Sequence, residues 1–430
     1  MAEQPDAVSR FEALLAPEGQ ELLRRLRAED DPAAPPRHGA GGPPRPGAAP
    51  RAGAAPRAGA APRPGKAPRA GTSLRLGTEL RARYPVELVT GALAQHELRL
   101  RARAKFSRAM DMFFTRPGLE QASAEVIAAH RISRYAGAGL VADLCCGIGG
   151  DLVTLAAGRG VLAVDRDPLH LRMARANAEV YGVAAGVTAI TADVREASLR
   201  GVDAVFIDPA RRAGGRRLRT GDSEPPLEWC LGLAQTVPRA GVKAAPGLAR
   251  DAVPPGWELE FIAVGRELKE AAAWSPALAT AATRATVLPG GHTLTHGAGA
   301  PVPVAPPGAF LLDPSPAVTR AGVVADLARL TGAWKIDEQI AFLSADTPVH
   351  TPFARTLRVI DSAPWDQRRL PAKLRALDIG AADIRRRGLA GDVAGLHRQL
   401  KLSGSRRATV VMTRVRNRPW GLVCVDTGPG

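Results

Sequence analysis

The sequence predicts an α/β protein: a helical N-terminal lobe, a central sheet of largely parallel strands, and a small C-terminal α/β domain. Three observations predict it. Between residues 138 and 290, short apolar runs alternate with helical stretches, the order that yields parallel strands joined by crossover helices. A glycine-rich loop, Asp143-Leu-Cys-Cys-Gly147-Ile-Gly149-Gly150-Asp151, follows one apolar run directly and opens a helix. The 430 residues exceed one ordinary domain and leave room for about three, at roughly 150 residues each.

Taken in order, residues 11–27 (FEALLAPEGQELLRRLR) space their leucines helically around Pro17 and Gly19. They predict a short helical hairpin within an N-terminal segment of residues 1–30. Residues 31–72 degenerate into a Pro/Ala/Gly/Arg repeat with no apolar face to bury, so a disordered insertion is expected there. Helical pattern resumes over 76–106, broken at Pro85, and again over 119–135, making residues 73–137 a helical lobe. The central domain, 138–290, reads as strand LVADL, the loop, helix DLVTLAA, strand GVLAVD, helix PLHLRMARANAEVYG, and strands GVTAITAD and VDAVFID. Further strand-like runs at GVKAA, LEFIAV, LKEAAAW and RATVLP complete its sheet. A Gly/Pro-rich joint at 291–308 leads to a last domain at 309–426. That domain reads as a helix over 315–330, strand TLRVID, helix-like DQRRLPAKLRAL and GDVAGLHRQLKL, and a hairpin of ATVVMTRV and WGLVCV.

Composition excludes a wholly disordered chain, since 45% of residues are hydrophobic and 23% charged. The first ten residues carry acids and no apolar core, and no run of about 18 apolar residues occurs, so neither a secretory signal nor a membrane span is expected. A cytoplasmic protein follows, with Cys145, Cys146, Cys230 and Cys424 reduced; their spacing suits neither a disulfide framework nor a zinc site, and no metal is expected. The net charge of +16 points to a polyanionic partner, RNA or DNA, with an arginine-rich compositional bias as the alternative.

Chemistry concentrates at strand ends. Glycines at 147, 149 and 150 let backbone approach a ligand, and the following helix offers free amides. NAD sites and structural turns share such loops, so the acids discriminate. Asp143, just before the loop, is badly placed against a pyrophosphate and suits a cationic amine. Asp165 closes the second strand, where a carboxylate accepts ribose hydroxyls, in NAD sites as well. Asp193 ends the third strand, in reach of an adenine amino group, and Asp208 ends the fourth, opening into the crevice at the strands' carboxyl edge.

Four acids at four successive strand ends after one glycine loop resemble the class I S-adenosylmethionine-dependent methyltransferases, whose sheet is Rossmann-like. AVDRDP, Ala176-Asn177-Ala178-Glu179-Val180-Tyr181-Gly182 and the upstream FTRPGLEQASAEVIAAHR resemble the trimethylguanosine-synthase-like branch of RNA methyltransferases, in which the upstream segment folds over the cofactor. Read on their own, Asn177 and Tyr181 share a helical face and could simply pack on the sheet. Two stretches, Phe310-Leu-Leu-Asp-Pro-Ser-Pro and Lys401-Leu-Ser-Gly-Ser-Arg-Arg-Ala-Thr409, are similar to bacterial methyltransferases with a C-terminal THUMP-like domain, which implies an RNA partner. The resemblance implies S-adenosylmethionine held by Asp143, Cys145, Gly147, Gly149, Gly150, Asp165, Arg166, Asp193 and Val194. It implies an acceptor site at Asp208, Pro209 and Arg211, and substrate contacts from Arg212, Lys243, Arg406, Arg407 and Arg414.

Two departures matter. Amine methyltransferases usually follow the fourth strand with Asp or Asn, two prolines and an aromatic ring, whereas here the tetrapeptide is Asp208-Pro209-Ala210-Arg211 and only an arginine plane could stack on a base. Uridine-C5 RNA methyltransferases share DPAR, but Ala244 stands where their nucleophilic cysteine would be, so covalent attack on uracil is disfavoured.

Overall fold

A computed structural model describes residues 6–29, 78–210, 212–213, 216–217 and 223–427; the repeat expected to be disordered, Arg211 and the Arg212 side chain lie outside the described residues. The predicted hairpin is present. Helix α1 (Ala7–Leu15) starts at Asp6, whose carboxylate accepts from the Ser9 amide at 2.7 Å. Helix α2 (Pro17–Glu29) opens on Pro17, where a missing amide costs nothing. After helical residues at 78–81 come α3 (Val86–Ala102), which begins at the predicted break after Pro85, then α4 (Arg116–Gln121) and α5 (Glu125–Ile132).

The first sheet contains β1 (Leu140–Leu144), β2 (Gly160–Asp165), β3 (Val187–Thr191), β4 (Ala204–Ile207), β7 (Ala240–Ala244), β8 (Glu258–Val264), β9 (Glu267–Trp274), β10 (Thr283–Leu288) and β11 (His292–Thr295). A two-residue ribbon, β5 (Arg212–Ala213) with β6 (Arg216–Arg217), leaves the sheet after β4. The strand order is β11-β10-β8-β9-β7-β4-β1-β2-β3, with β3, β2, β1, β4 and β7 all parallel. This is the Rossmann-like sheet that the resemblance implies. LKEAAAW enters it antiparallel, as β9 between β7 and β8.

Strands β4 and β7 are buried along their whole length, consistent with cover on both faces. The crossover helix α6 (Leu152–Leu155) is shorter than DLVTLAA predicts, while α7 (Pro168–Val180) and α8 (Leu227–Gly232) complete the layers. Met173 and Ala176 of α7 share a core with Phe11, Leu14, Leu22 and Leu26, so the N-terminal hairpin is anchored to the sheet through α7. From β1 the chain runs outward to β2 and β3 and returns to β4 on the other side of β1, leaving a crevice at the carboxyl ends of β1 and β4.

The second sheet holds β12 (Phe310–Pro314), β13 (Trp334–Lys335), β14 (Leu343–Ala345), β15 (Ala354–Pro364), β16 (Ile379–Arg386), β17 (Arg406–Val415) and β18 (Arg418–Asp426), in the order β13-β14-β12-β15-β18-β17-β16. The predicted hairpin is β17–β18, turned by Arg416 and Asn417 with φ of 47° and 62°. The single helix predicted over 315–330 is two, α9 (Pro316–Ala321) and α10 (Val324–Thr331), because Gly322 at φ 71° ends the first. Both pack on the first sheet: Ala317, Val318, Ala321 and Leu327 join Leu259, Phe261 and Ala285 in one core. Helices α11 (Leu370–Ala376) and α12 (Val393–Gln399) instead cover β16 and β17.

Candidate active site

The crevice opens into a cleft of about 1410 Å³. Of the residues expected to form a site, Asp143, Cys145, Gly147, Gly150, Asp165, Arg166, Asp193, Val194, Asp208, Pro209 and Lys243 line it together. Gly149 does not. A β-carbon there would lie 3.0 Å from the Ala174 Cα, and its φ is +82°, so this glycine lets α7 pack against the loop rather than meeting a ligand. Arg406, Arg407 and Arg414 sit on β17 of the second sheet and are not part of the cleft lining; Arg407 pairs with Asp383 at 3.1 Å and Arg414 bonds Asn417 at 3.1 Å.

Asp143, at the end of β1, is 1% exposed, and neither of its carboxylate oxygens has a partner among the described residues. Burial pushes its carboxyl well above the usual range, helped by the nearby charges of Asp151 and Asp208. A buried, unsatisfied acceptor pair of this kind is stabilised by a cationic donor. Cys145 follows with φ 60°, a left-handed conformation that turns the loop across the strand ends. Burial pushes its thiol up, away from thiolate chemistry. Asp165 secures the loop by accepting from the Gly147 amide at 2.8 Å through one oxygen and the Asp167 amide at 2.9 Å through the other. Each oxygen retains a second lone pair for a ligand hydroxyl.

Asp193 accepts from the Arg195 amide at 2.9 Å, which holds its carboxyl low, and from the Arg195 guanidinium at 3.1 Å. Arg195 continues to Glu224 at 2.6 Å. The Asp193 carboxylate thus shapes the rim of the cleft as well as facing it. Asp208, at the end of β4, meets Lys243 of β7 at 2.5 Å through Oδ2; Oδ1 has no partner among the described residues.

Sequence reasoning missed the floor beneath these groups. Arg131, 2% exposed, pairs with both Asp151 and Glu270, and its guanidinium lies 4.6 Å from the Phe206 ring centroid. Glu270 also accepts from Ser123 at 3.1 Å. The available signal was a lone acid ahead of three alanines in EAAAW.

The upstream segment covers the cleft with Lys105, Gly118 and residues 120–127. Asn177 of α7 fixes it: the side chain accepts from the Phe113 amide at 2.7 Å and donates to the carbonyls of Phe113 at 3.0 Å and Ile148 at 2.8 Å. Lys105 donates to the carbonyls of Leu119, Glu120 and Ala122, closing the end of α4, and burial lowers its ammonium to about 8. The cleft-lining residues include eleven Asp or Glu and six Lys or Arg, although the whole chain carries +16.

Comparison with known proteins agrees with this arrangement. Residues 138–217 match the family model described as RNA cap guanine-N2 methyltransferase, and residues 354–425 match the one described as THUMP domain-like. An uncharacterised S-adenosylmethionine-dependent methyltransferase of Mycobacterium tuberculosis, recorded in strains CDC 1551 and H37Rv, is 38% identical over 315 residues, covering 70% of this chain and 84% of the relative. A crystal structure from Porphyromonas gingivalis W83, classed as a methyltransferase, superposes with a TM-score of 0.67 at 18% identity, covering 84% of this chain and 99% of that one, and shares the fold. Among the described residues no helix is long and apolar enough to cross a membrane.

Proposed function

Because the chain belongs to the S-adenosylmethionine-dependent methyltransferases, we propose that it methylates a base nitrogen of a structured RNA in the cytoplasm. The observation that carries this reading is the Asp208 carboxylate: it directly follows β4, with Oδ2 held by Lys243 and Oδ1 without a partner among the described residues, in the same cleft as Asp143, whose oxygens likewise have none there. The matches of residues 138–217 and 354–425 to RNA-related families support the RNA half of it.

The residues present fit the cofactor. Asp143 offers two acceptors to the methionine ammonium, Asp165 keeps lone pairs for the ribose hydroxyls, and the acid-rich lining suits a ligand with two positive charges. Cys145, Gly147 and Gly150 frame the methionine part, with Arg166, Asp193 and Val194 beside the nucleoside. When bound, S-adenosylmethionine supplies a methyl group already activated on a sulfonium.

The protein's contribution is placement. Asp208 accepts a hydrogen bond from the acceptor amine, aims its lone pair into the cleft and takes up the proton the nitrogen sheds on alkylation. Pro209 brings no backbone donor to compete for that carboxylate. Arg211 supplies the stacking plane that the loop otherwise lacks, while Arg212, Arg406, Arg407 and Arg414 hold phosphates. Covalent attack on a pyrimidine is disfavoured, since Ala244 stands at the nucleophile position and Cys230 is fully buried.

The test is transfer of tritium from methyl-labelled S-adenosylmethionine into total cellular RNA. Label is expected in RNA with wild type. Asp208→Ala should reduce it by on the order of 10² while calorimetric cofactor affinity stays within a few-fold. Label in protein or small molecules instead would overturn the RNA assignment, and joint loss of binding and transfer would make Asp208 structural.

A further inference from the structure

Lys243 was expected to touch substrate, but its surroundings leave little of it for that purpose. The side chain is 7% exposed. Its ammonium donates to Asp208 Oδ2 at 2.5 Å and to the Gln121 carbonyl at 3.3 Å. These partners belong to different layers: Asp208 directly follows β4, and Gln121 is the last residue of α4 in the segment covering the cleft. Strands β4 and β7 are parallel neighbours with Ile207 opposite Val242, so Asp208 and Lys243 each lie one residue beyond that registered pair. Two further buried acids nearby, Asp151 and Glu270, make their ion pairs with Arg131. Both act on Lys243 only at longer range, and its direct partners are Asp208 and Gln121.

We propose that Lys243 is a positioning residue that ties the acceptor-side carboxylate to the cover of the cleft. Its ammonium fixes Asp208 in the rotamer that leaves Oδ1 for the acceptor, and it holds that arrangement only while the Gln121 carbonyl is in place. Closure of the cover and alignment of Asp208 then form one event, and a displaced cover leaves the carboxylate misaimed. The proposal rests on the reading of Asp208 as the group that meets the acceptor.

Two measurements on the full chain test it. The first, hydrogen exchange over residues 116–124, needs no acceptor. Lys243→Met should speed exchange there about tenfold, the size expected for losing one hydrogen bond to a charged group, and Asp208→Asn should speed it as well, because the coupling is reciprocal. Unchanged exchange in both variants would overturn the tie. The second is kinetic: Lys243→Met should lower kcat for RNA methylation by on the order of 10², with KM for RNA and cofactor affinity little changed, and Lys243→Arg should restore part of the loss. A rise in KM without loss of kcat would return Lys243 to direct substrate contact. Wild-type protein that leaves RNA unlabelled would sink the RNA reading, while the exchange result still decides the role of Lys243.

Discussion

Asp143, the proposed partner of the cofactor's ammonium, keeps a buried carboxyl without a partner among the described residues at a cost to fold stability. Its carboxyl is raised by burial relative to the unfolded chain, so the folded state binds the extra proton, and its stabilising share is present at low pH and lost as pH rises through the raised value. The raised carboxyl thus destabilises the cofactor-free fold at any pH above its value in the unfolded chain. Asp143→Asn is expected to raise the melting temperature of the free protein yet weaken cofactor binding by about 10- to 100-fold, the cost of a charge-assisted hydrogen bond. Differential scanning calorimetry with and without S-adenosylmethionine checks both. The same carboxyl should make wild-type affinity fall as pH is lowered, because the ammonium needs the ionised form. Calorimetric titration in buffers of different ionisation enthalpy would register the proton released on binding; a pH-independent affinity would contradict the role.

At the scale of elements, one buried amide, that of Asn177, touches both the loop and the upstream segment from α7. Removing it in Asn177→Ala leaves the Phe113 amide and two carbonyls without their partner, an expected loss of about 3 kcal/mol in denaturant unfolding together with weaker cofactor binding. How far such joints could be read from the chain varied with their range. β1, β2 and β4 announced themselves as apolar runs, and Asp143, Asp165 and Asp208 as the acids that close them. β16 did not, because IGAADIRR alternates glycine, alanine and charge with almost no apolar signal. The 315–330 stretch kept helical periodicity across Gly322, so only the left-handed turn reveals two helices. The partners of Arg131 and Lys243 lie up to 139 residues away in sequence, and local pattern carries no information about such pairs.

On the scale of the whole molecule, the two sheets do not correspond to two separable pieces. α9 and α10 follow the Gly/Pro joint in sequence yet bury Ala317, Val318 and Leu327 in the core of the first sheet, while β12, just before them, pairs with β15 of the second. A chain cut near residue 308 would expose that core. Thermal unfolding of the intact protein is therefore expected as one cooperative transition, and two resolved calorimetric transitions would contradict it. The distribution of charge has a consequence of its own. A cleft dominated by carboxylates within a strongly cationic chain sets up opposing potentials over a short distance. For the proposed RNA substrate this means sorting by polarity: phosphodiester groups are repelled at the mouth, and the uncharged heterocycle is the part admitted. On that proposal the field favours an everted base over a backbone oxygen before any specific contact has formed.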